Sequence, residues 1–158
     1  MYKKLFFIIA LPFIMLACKK ETKSDCNTTG VPNEKELATL QAHLTANSLT
    51  ATKDPAGFFY QITNPGTGVN PNISSKVTVQ YVGKFLDDRV FDSNTTAAGI
   101  TFNLNGVIRG WQLGVPLVKK GGSIILYLPP SLAYGCNGSG PIPGNTPLVF
   151  TINLLDVQ

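Results

Sequence analysis

From Glu34 to Leu49 the apolar residues Leu37, Ala38, Leu40 and Leu44 recur at helical spacing, as on one side of a 3.6-residue period. Pro32 and Asn33 stand just ahead as a start signal. The pattern predicts one amphipathic helix of about three or four turns. Its apolar stripe must bury against the rest of the chain or against a second copy, so a homodimer through residues 34–49 is one outcome. His43, the only histidine, lies beside the stripe and reads as a surface residue. Asp54-Pro55-Ala56-Gly57 then breaks the helix.

Beyond that break the period becomes two. Residues 58–63 form a strand candidate closed by Asn64-Pro65-Gly66. Within 76–85, Val77, Val79, Tyr81 and Phe85 share one face. Phe102 and Leu104 share a side of a short strand over 101–104. Residues 123–128 are apolar, β-branched at the centre and closed by Pro129-Pro130. Within 148–154, Leu148, Phe150, Ile152 and Leu154 again face one way. Residues 109–118 allow only a short helix, because Gly114 and Pro116 interrupt it. The expected class is α+β: a five-stranded antiparallel sheet around one short helix, preceded by the amphipathic helix. The expected division is 1–17, 18–57 and 58–158.

The start of the chain changes the picture of where the protein works. Lys3 and Lys4 precede an uncharged run from Leu5 to Ala17. That run is too short for a membrane span, which needs about 20 residues, and fits the apolar part of a signal peptide. It ends in Met15-Leu16-Ala17-Cys18, which resembles a bacterial lipobox, with Cys18 the lipidated residue of the processed chain. The expectation is an exported protein held by its lipid at a bacterial membrane, the outer membrane facing the periplasm or the surface. Residues 19–32 are polar and read as a flexible tether. Cys26 and Cys136 then remain. Export would allow them to pair, and two separate thiols is the other reading.

Composition bounds the chemistry. Hydrophobic residues make up 44% and charged residues 14% of the 158, a globular balance. The net charge of +4 falls to +2 once Lys3 and Lys4 are removed, and no basic patch is interleaved with aromatics, so nucleic acid is not an expected partner. A nucleophilic triad needs a histidine base, and His43 sits in the peripheral helix. No clustered zinc ligands and no phosphate-binding glycine loop occur. Asp87 and Asp88 sit in a predicted hairpin turn, where aspartate is expected for turn reasons. What stands out is a stock of aromatic and apolar residues beside glycines: Tyr81, Phe91, Phe102, Val107, Ile108, Trp111, Tyr134, Ile142 and Phe150. Each alone reads as core.

Their order carries more. The chain reads Val79-Gln80-Tyr81-Val82-Gly83, Val90-Phe91-Asp92-Ser93, then Gly106-Val107-Ile108-Arg109-Gly110-Trp111. Lys120-Gly121-Gly122, Pro129-Pro130-Ser131-Leu132-Ala133-Tyr134-Gly135, Ile142-Pro143 and Asn145-Thr146-Pro147-Leu148-Val149-Phe150 follow. In this order and spacing residues 58–158 resemble the FKBP-type peptidyl-prolyl isomerases. The resemblance implies a sheet wrapped around the short helix and a pocket for proline. Trp111 would be its floor, and Tyr81, Phe91, Phe102, Val107, Ile108 and Phe150 its walls, with Ile142 closing the rim. Tyr81, Asp92, the Ile108 N–H and Tyr134 would be the groups acting on the substrate. It implies proline-containing polypeptides as partners, and no cofactor or metal. A holding module for proline segments, without turnover, is the alternative function. Three segments depart from the family's pattern: Asp87-Asp88 in place of the frequent Asp-Gly, residues 94–99, and the loop 136–146, where Ser139 stands near a histidine of some relatives.

Overall fold

The computed structural model describes residues 26–158. The expected signal peptide, Cys18 and the first part of the expected tether lie outside the described residues. Helix α1 spans Glu34–Ala46. Its start is a capping box: the Asn33 side chain accepts from the Glu36 N–H at 2.9 Å, and Glu36 Oε2 accepts from the Asn33 N–H at 2.9 Å. The helix ends three residues short of the expected Leu49. Ser48 turns to φ 54°, and the Leu49 N–H returns to the Leu44 carbonyl at 2.9 Å, which satisfies a terminal carbonyl.

The strands are β1 Thr52–Lys53, β2 Phe59–Asn64, β3 Lys76–Phe85, β4 Val90–Asn94, β5 Ile100–Asn103, β6 Ser123–Leu128 and β7 Leu148–Val157. They form one antiparallel sheet in the order β1-β2-β6-β7-β3-β4, with β5 also paired to β3. The five expected strands are all present, and β1 and β4 are additional. Both sit at sheet edges. β1 has only two residues, and in β4 Val90, Asp92 and Ser93 are all exposed, so neither shows a period-two apolar pattern. The β3–β4 turn runs through Asp88 at φ 67°, a conformation aspartate tolerates better than most residues.

Alternation along the strands divides the core in two. Ile124, Leu126 and Leu128 of β6 and Leu148, Phe150, Ile152 and Leu154 of β7 face inward onto helix α2, Arg109–Gly114. Ile125, Tyr127 and Val149, one residue out of phase, face outward. There they meet Leu37, Leu40 and Leu44 of α1. The apolar stripe of α1 is therefore spent on its own sheet, and a second copy would meet the polar side of that helix. His43 is half-buried on this outer face, its ring 6.3 Å from that of Tyr127. Helix α2 lies close against β6. A Cβ added at Gly110 would stand 2.4 Å from a Leu128 methyl, and one at Gly114 2.5 Å from a Leu126 methyl. Both leucines are fully buried and cannot move aside.

Residues 26–32 are not the flexible tether their composition suggested. Cys26 is disulfide-bonded to Cys136, with Cα atoms 5.6 Å apart. The Asn27 amide donates to Glu36 Oε2 at 2.7 Å. Glu36 Oε1 in turn accepts from the Ser131 N–H at 3.0 Å. This short polar run has few apolar residues, and Val31 is exposed, so a covalent bond and one buried carboxylate fix it instead. Among the described residues no helix is long and apolar enough to cross a membrane.

Two outcomes follow from this architecture. β7 lies between β6 and β3 and pairs with both along its length. Deleting residues 150–158 should abolish cooperative thermal unfolding, followed by circular dichroism. The Cys26–Cys136 bond closes a loop with a sequence separation of 110. Replacing both cysteines by serine should lower stability in urea by about 2–5 kcal/mol, since the open chain regains the entropy of that loop.

Candidate functional site

At one end of α2 the inner face of the sheet opens into a cavity of about 280 Å³. Its lining comes from seven segments: Tyr81 of β3, Asp92 of β4, Phe102 of β5, Gly106, Val107 and Ile108 of the turn into α2, Trp111 of α2, Tyr134 after β6, and Phe150 of β7. The sheet brings these together because β3 pairs with β4, β5 and β7 at once.

Trp111 is 4% exposed and lies at the centre. Three rings meet the indole edge to face: Tyr81 at 5.3 Å and 80°, Phe102 at 5.9 Å and 87°, and Phe150 at 5.4 Å and 89°. Such pairs are favourable beyond the area they bury, because positive ring edges meet negative ring faces. The indole N–H is buried and has no hydrogen-bond partner among the described residues. Phe91 lies outside the lining. Its ring packs against Phe150 at 5.6 Å and 87° and against Phe85 at 5.3 Å, so it braces one wall from behind. Gly83 permits this, since a Cβ there would stand 2.6 Å from the Phe91 ring. Ile142 also lies outside the lining. It is 6% exposed and belongs to the inner core, where a bridge to Ser139 holds it.

The polar groups sit above this apolar floor. The Tyr81 hydroxyl donates to Asp92 Oδ2 at 2.6 Å. Burial, then that hydrogen bond and the negative charge of Asp92, push the Tyr81 hydroxyl far above its ordinary value. Burial, followed by the Asp92 charge, raises Tyr134 as well. Both phenols therefore remain protonated donors well into alkaline solution. The Ile108 N–H is the other donor. Ile108 caps α2, and its carbonyl accepts from the Trp111 and Gln112 N–H groups at 3.0 and 3.2 Å, while its own N–H has no acceptor among the described residues.

Two positioning residues escaped the sequence reading. Gln112 donates its amide to the Val107 carbonyl at 2.8 Å and to the Asn105 carbonyl at 3.2 Å, which fixes the turn carrying Val107 and Ile108. Glu36 holds the Ser131 backbone from across the molecule, in the segment that carries Tyr134. A glutamine within a short helix gives no sign of this. The Asn33-x-x-Glu36 spacing signals a cap but not the second use of its carboxylate.

The comparisons with known proteins agree with this geometry. A sequence model of the FKBP-type peptidyl-prolyl cis-trans isomerases matches residues 68–155, more than half of the chain. The chain belongs to that family. It is 45% identical over 103 residues to the FKBP-type peptidyl-prolyl cis-trans isomerase FkpA of Escherichia coli strain K12, an alignment covering 65% of this chain and 38% of that protein. It is 37% identical over 140 residues to FkpA of Aeromonas hydrophila, covering 87% and 51%. The chain thus spans about half or less of these relatives. The crystal structure of FkpA from Escherichia coli superposes with a TM-score of 0.71 at 37% identity, over 78% of this chain and 60% of that one. A peptidyl-prolyl cis-trans isomerase from Pseudomonas syringae pv. tomato superposes at 0.68 with 32% identity, over 80% and 96%.

The raised phenols set a sign for stability at high pH. Unfolded tyrosines lose their protons near pH 10, while Tyr81 and Tyr134 in the fold hold theirs to higher pH. The unfolded state then binds fewer protons, so stability falls as pH rises beyond that point and is intact below it. Urea unfolding from pH 8 to pH 11 should show this decline, and Tyr81→Phe should make it shallower.

Proposed function

We propose that this chain accelerates cis/trans isomerisation of Xaa-Pro bonds in exported polypeptides. The observation that carries the reading is the indole floor of Trp111, walled by three aromatic rings, with protonated donors only at its edge. Rotation about an Xaa-Pro bond faces a barrier of about 18–20 kcal/mol from amide resonance. No covalent bond breaks, so the site needs no nucleophile. In the twisted state the amide has lost its resonance, and its carbonyl is less strongly held by water than the planar form's. An apolar cavity therefore favours the twisted state over the planar one, which is differential binding of the transition state. The proline ring would lie on Trp111 while the preceding carbonyl rotates. The Ile108 N–H would anchor one substrate carbonyl. Tyr134 would donate to another, and Asp92, held by Tyr81, would orient the chain. None of them needs to transfer a proton.

The place of action rests on separate support. The Met15-Leu16-Ala17-Cys18 sequence fits lipidation at Cys18, which would tether the domain to a membrane. The Cys26–Cys136 disulfide favours an oxidising compartment. Uncatalysed isomerisation takes tens of seconds and can limit folding there, so newly exported chains are the fitting substrates.

The test is cis-to-trans relaxation of a short Xaa-Pro peptide at low temperature, using residues 19–158. Wild type should accelerate it strongly. Asp92→Ala should lower kcat/KM by about ten- to a hundredfold, the scale of one lost charged hydrogen bond. Trp111→Leu should lower it at least as much while the protein stays folded. A folded wild type that binds the peptide without accelerating it would instead mark a holding module.

A further inference from the structure

Tyr134 lines a second depression besides the apolar cavity. This groove, of about 330 Å³, runs between residues 26–32, which form an N-terminal strap, and the segment after β6. Asn27, Thr28 and Gly30 line it from the strap, and Ser131, Tyr134 and Asn137 from the other side. We propose that the groove is a second subsite for the polypeptide, taking the stretch of unfolded chain that flanks the proline as it leaves the cavity past Tyr134. The proposal rests on the isomerase reading and extends it.

Three observations carry it. The first is continuity: one residue, Tyr134, is shared by cavity and groove, so a chain seated on Trp111 can pass from one to the other. The second is rigidity. The strap is held by the Cys26–Cys136 bond and by the Asn27 amide on Glu36. The opposite side is held to the same carboxylate, through the Ser131 N–H at 3.0 Å and its hydroxyl at 3.2 Å. A groove whose two sides share one buried carboxylate is formed before anything binds, which spares a ligand the entropy of ordering it. The third is chemistry. No charged residue lines the groove. The side chains of Thr28 and Asn137 make no hydrogen bond among the described residues, which leaves a hydroxyl and an amide free for a main chain. Uncharged donors and acceptors suit peptide groups of any sequence, as an enzyme of varied unfolded clients requires. Cys26 to Gly30 lie outside the family match of residues 68–155, so this half of the groove comes from the segment that precedes the matched domain.

The experiment compares a short blocked Xaa-Pro peptide with versions lengthened by about six residues, roughly 20 Å of extended chain, either before or after the proline. Binding is read by calorimetry and turnover by cis-to-trans relaxation. On wild type, one lengthened peptide should bind about five- to tenfold more tightly than the short one. Thr28→Trp and Asn137→Trp, at exposed positions whose side chains hold nothing else, fill the groove. Each should erase the gain while the short peptide keeps its affinity. Equal affinity of all peptides for wild type would overturn the proposal, as would a gain that survives both substitutions. Failure of the isomerase reading looks different: no peptide is accelerated, and calorimetry on the lengthened peptides still decides the groove.

Discussion

Helix α2 approaches the sheet closely because Gly110 and Gly114 present no Cβ to Leu128 and Leu126. Much of the site depends on that approach. With the helix so near, Trp111 comes within edge-to-face distance of rings on β3, β5 and β7, and the turn before it leaves the Ile108 N–H at the cavity. A methyl group at either glycine would push the helix outward against buried leucines. Bulky side chains in a core 4% exposed at its most central ring have no room to absorb such a shift. Gly83 does the same service across the sheet, letting Phe91 brace Phe150 from behind.

Much of this was legible in the sequence where a repeating pattern carried it. The change to period two after the helix located five of the strands, and the helical spacing of Leu37, Leu40 and Leu44 located α1. What escaped lacks such a pattern. β4 is an edge strand with Val90 exposed, and β1 is too short for a period. The site residues were readable only from their order along the chain, since each one alone looks like core. Their individual places needed the tertiary structure: Phe91 stands behind a wall, and Ile142 is tucked into the core by its bridge to Ser139. The pairing of Cys26 with Cys136 could not be read, because a cysteine in a polar run carries no mark of where it folds back.

The N-terminal segment reaches both the outer face of the sheet and the surroundings of the site. Its helix covers the outer face of the sheet, and its strap is tied to the loop that carries Tyr134. One carboxylate, Glu36, caps the helix, receives Asn27 and holds Ser131. A segment that composition marks as a spacer therefore contributes to the surroundings of the site.

In the proposed function a proline seats on Trp111 with its neighbouring carbonyl at Ile108. Trp111 is the only tryptophan, so its indole N–H gives a single resolved signal in a proton–nitrogen correlation spectrum. Titration with a short Xaa-Pro peptide should shift that signal together with the Ile108 and Tyr134 amides, and the same peptide with alanine in place of proline should leave all of them unmoved. Shifts of equal size with both peptides, or shifts confined to residues away from the cavity, would contradict the account.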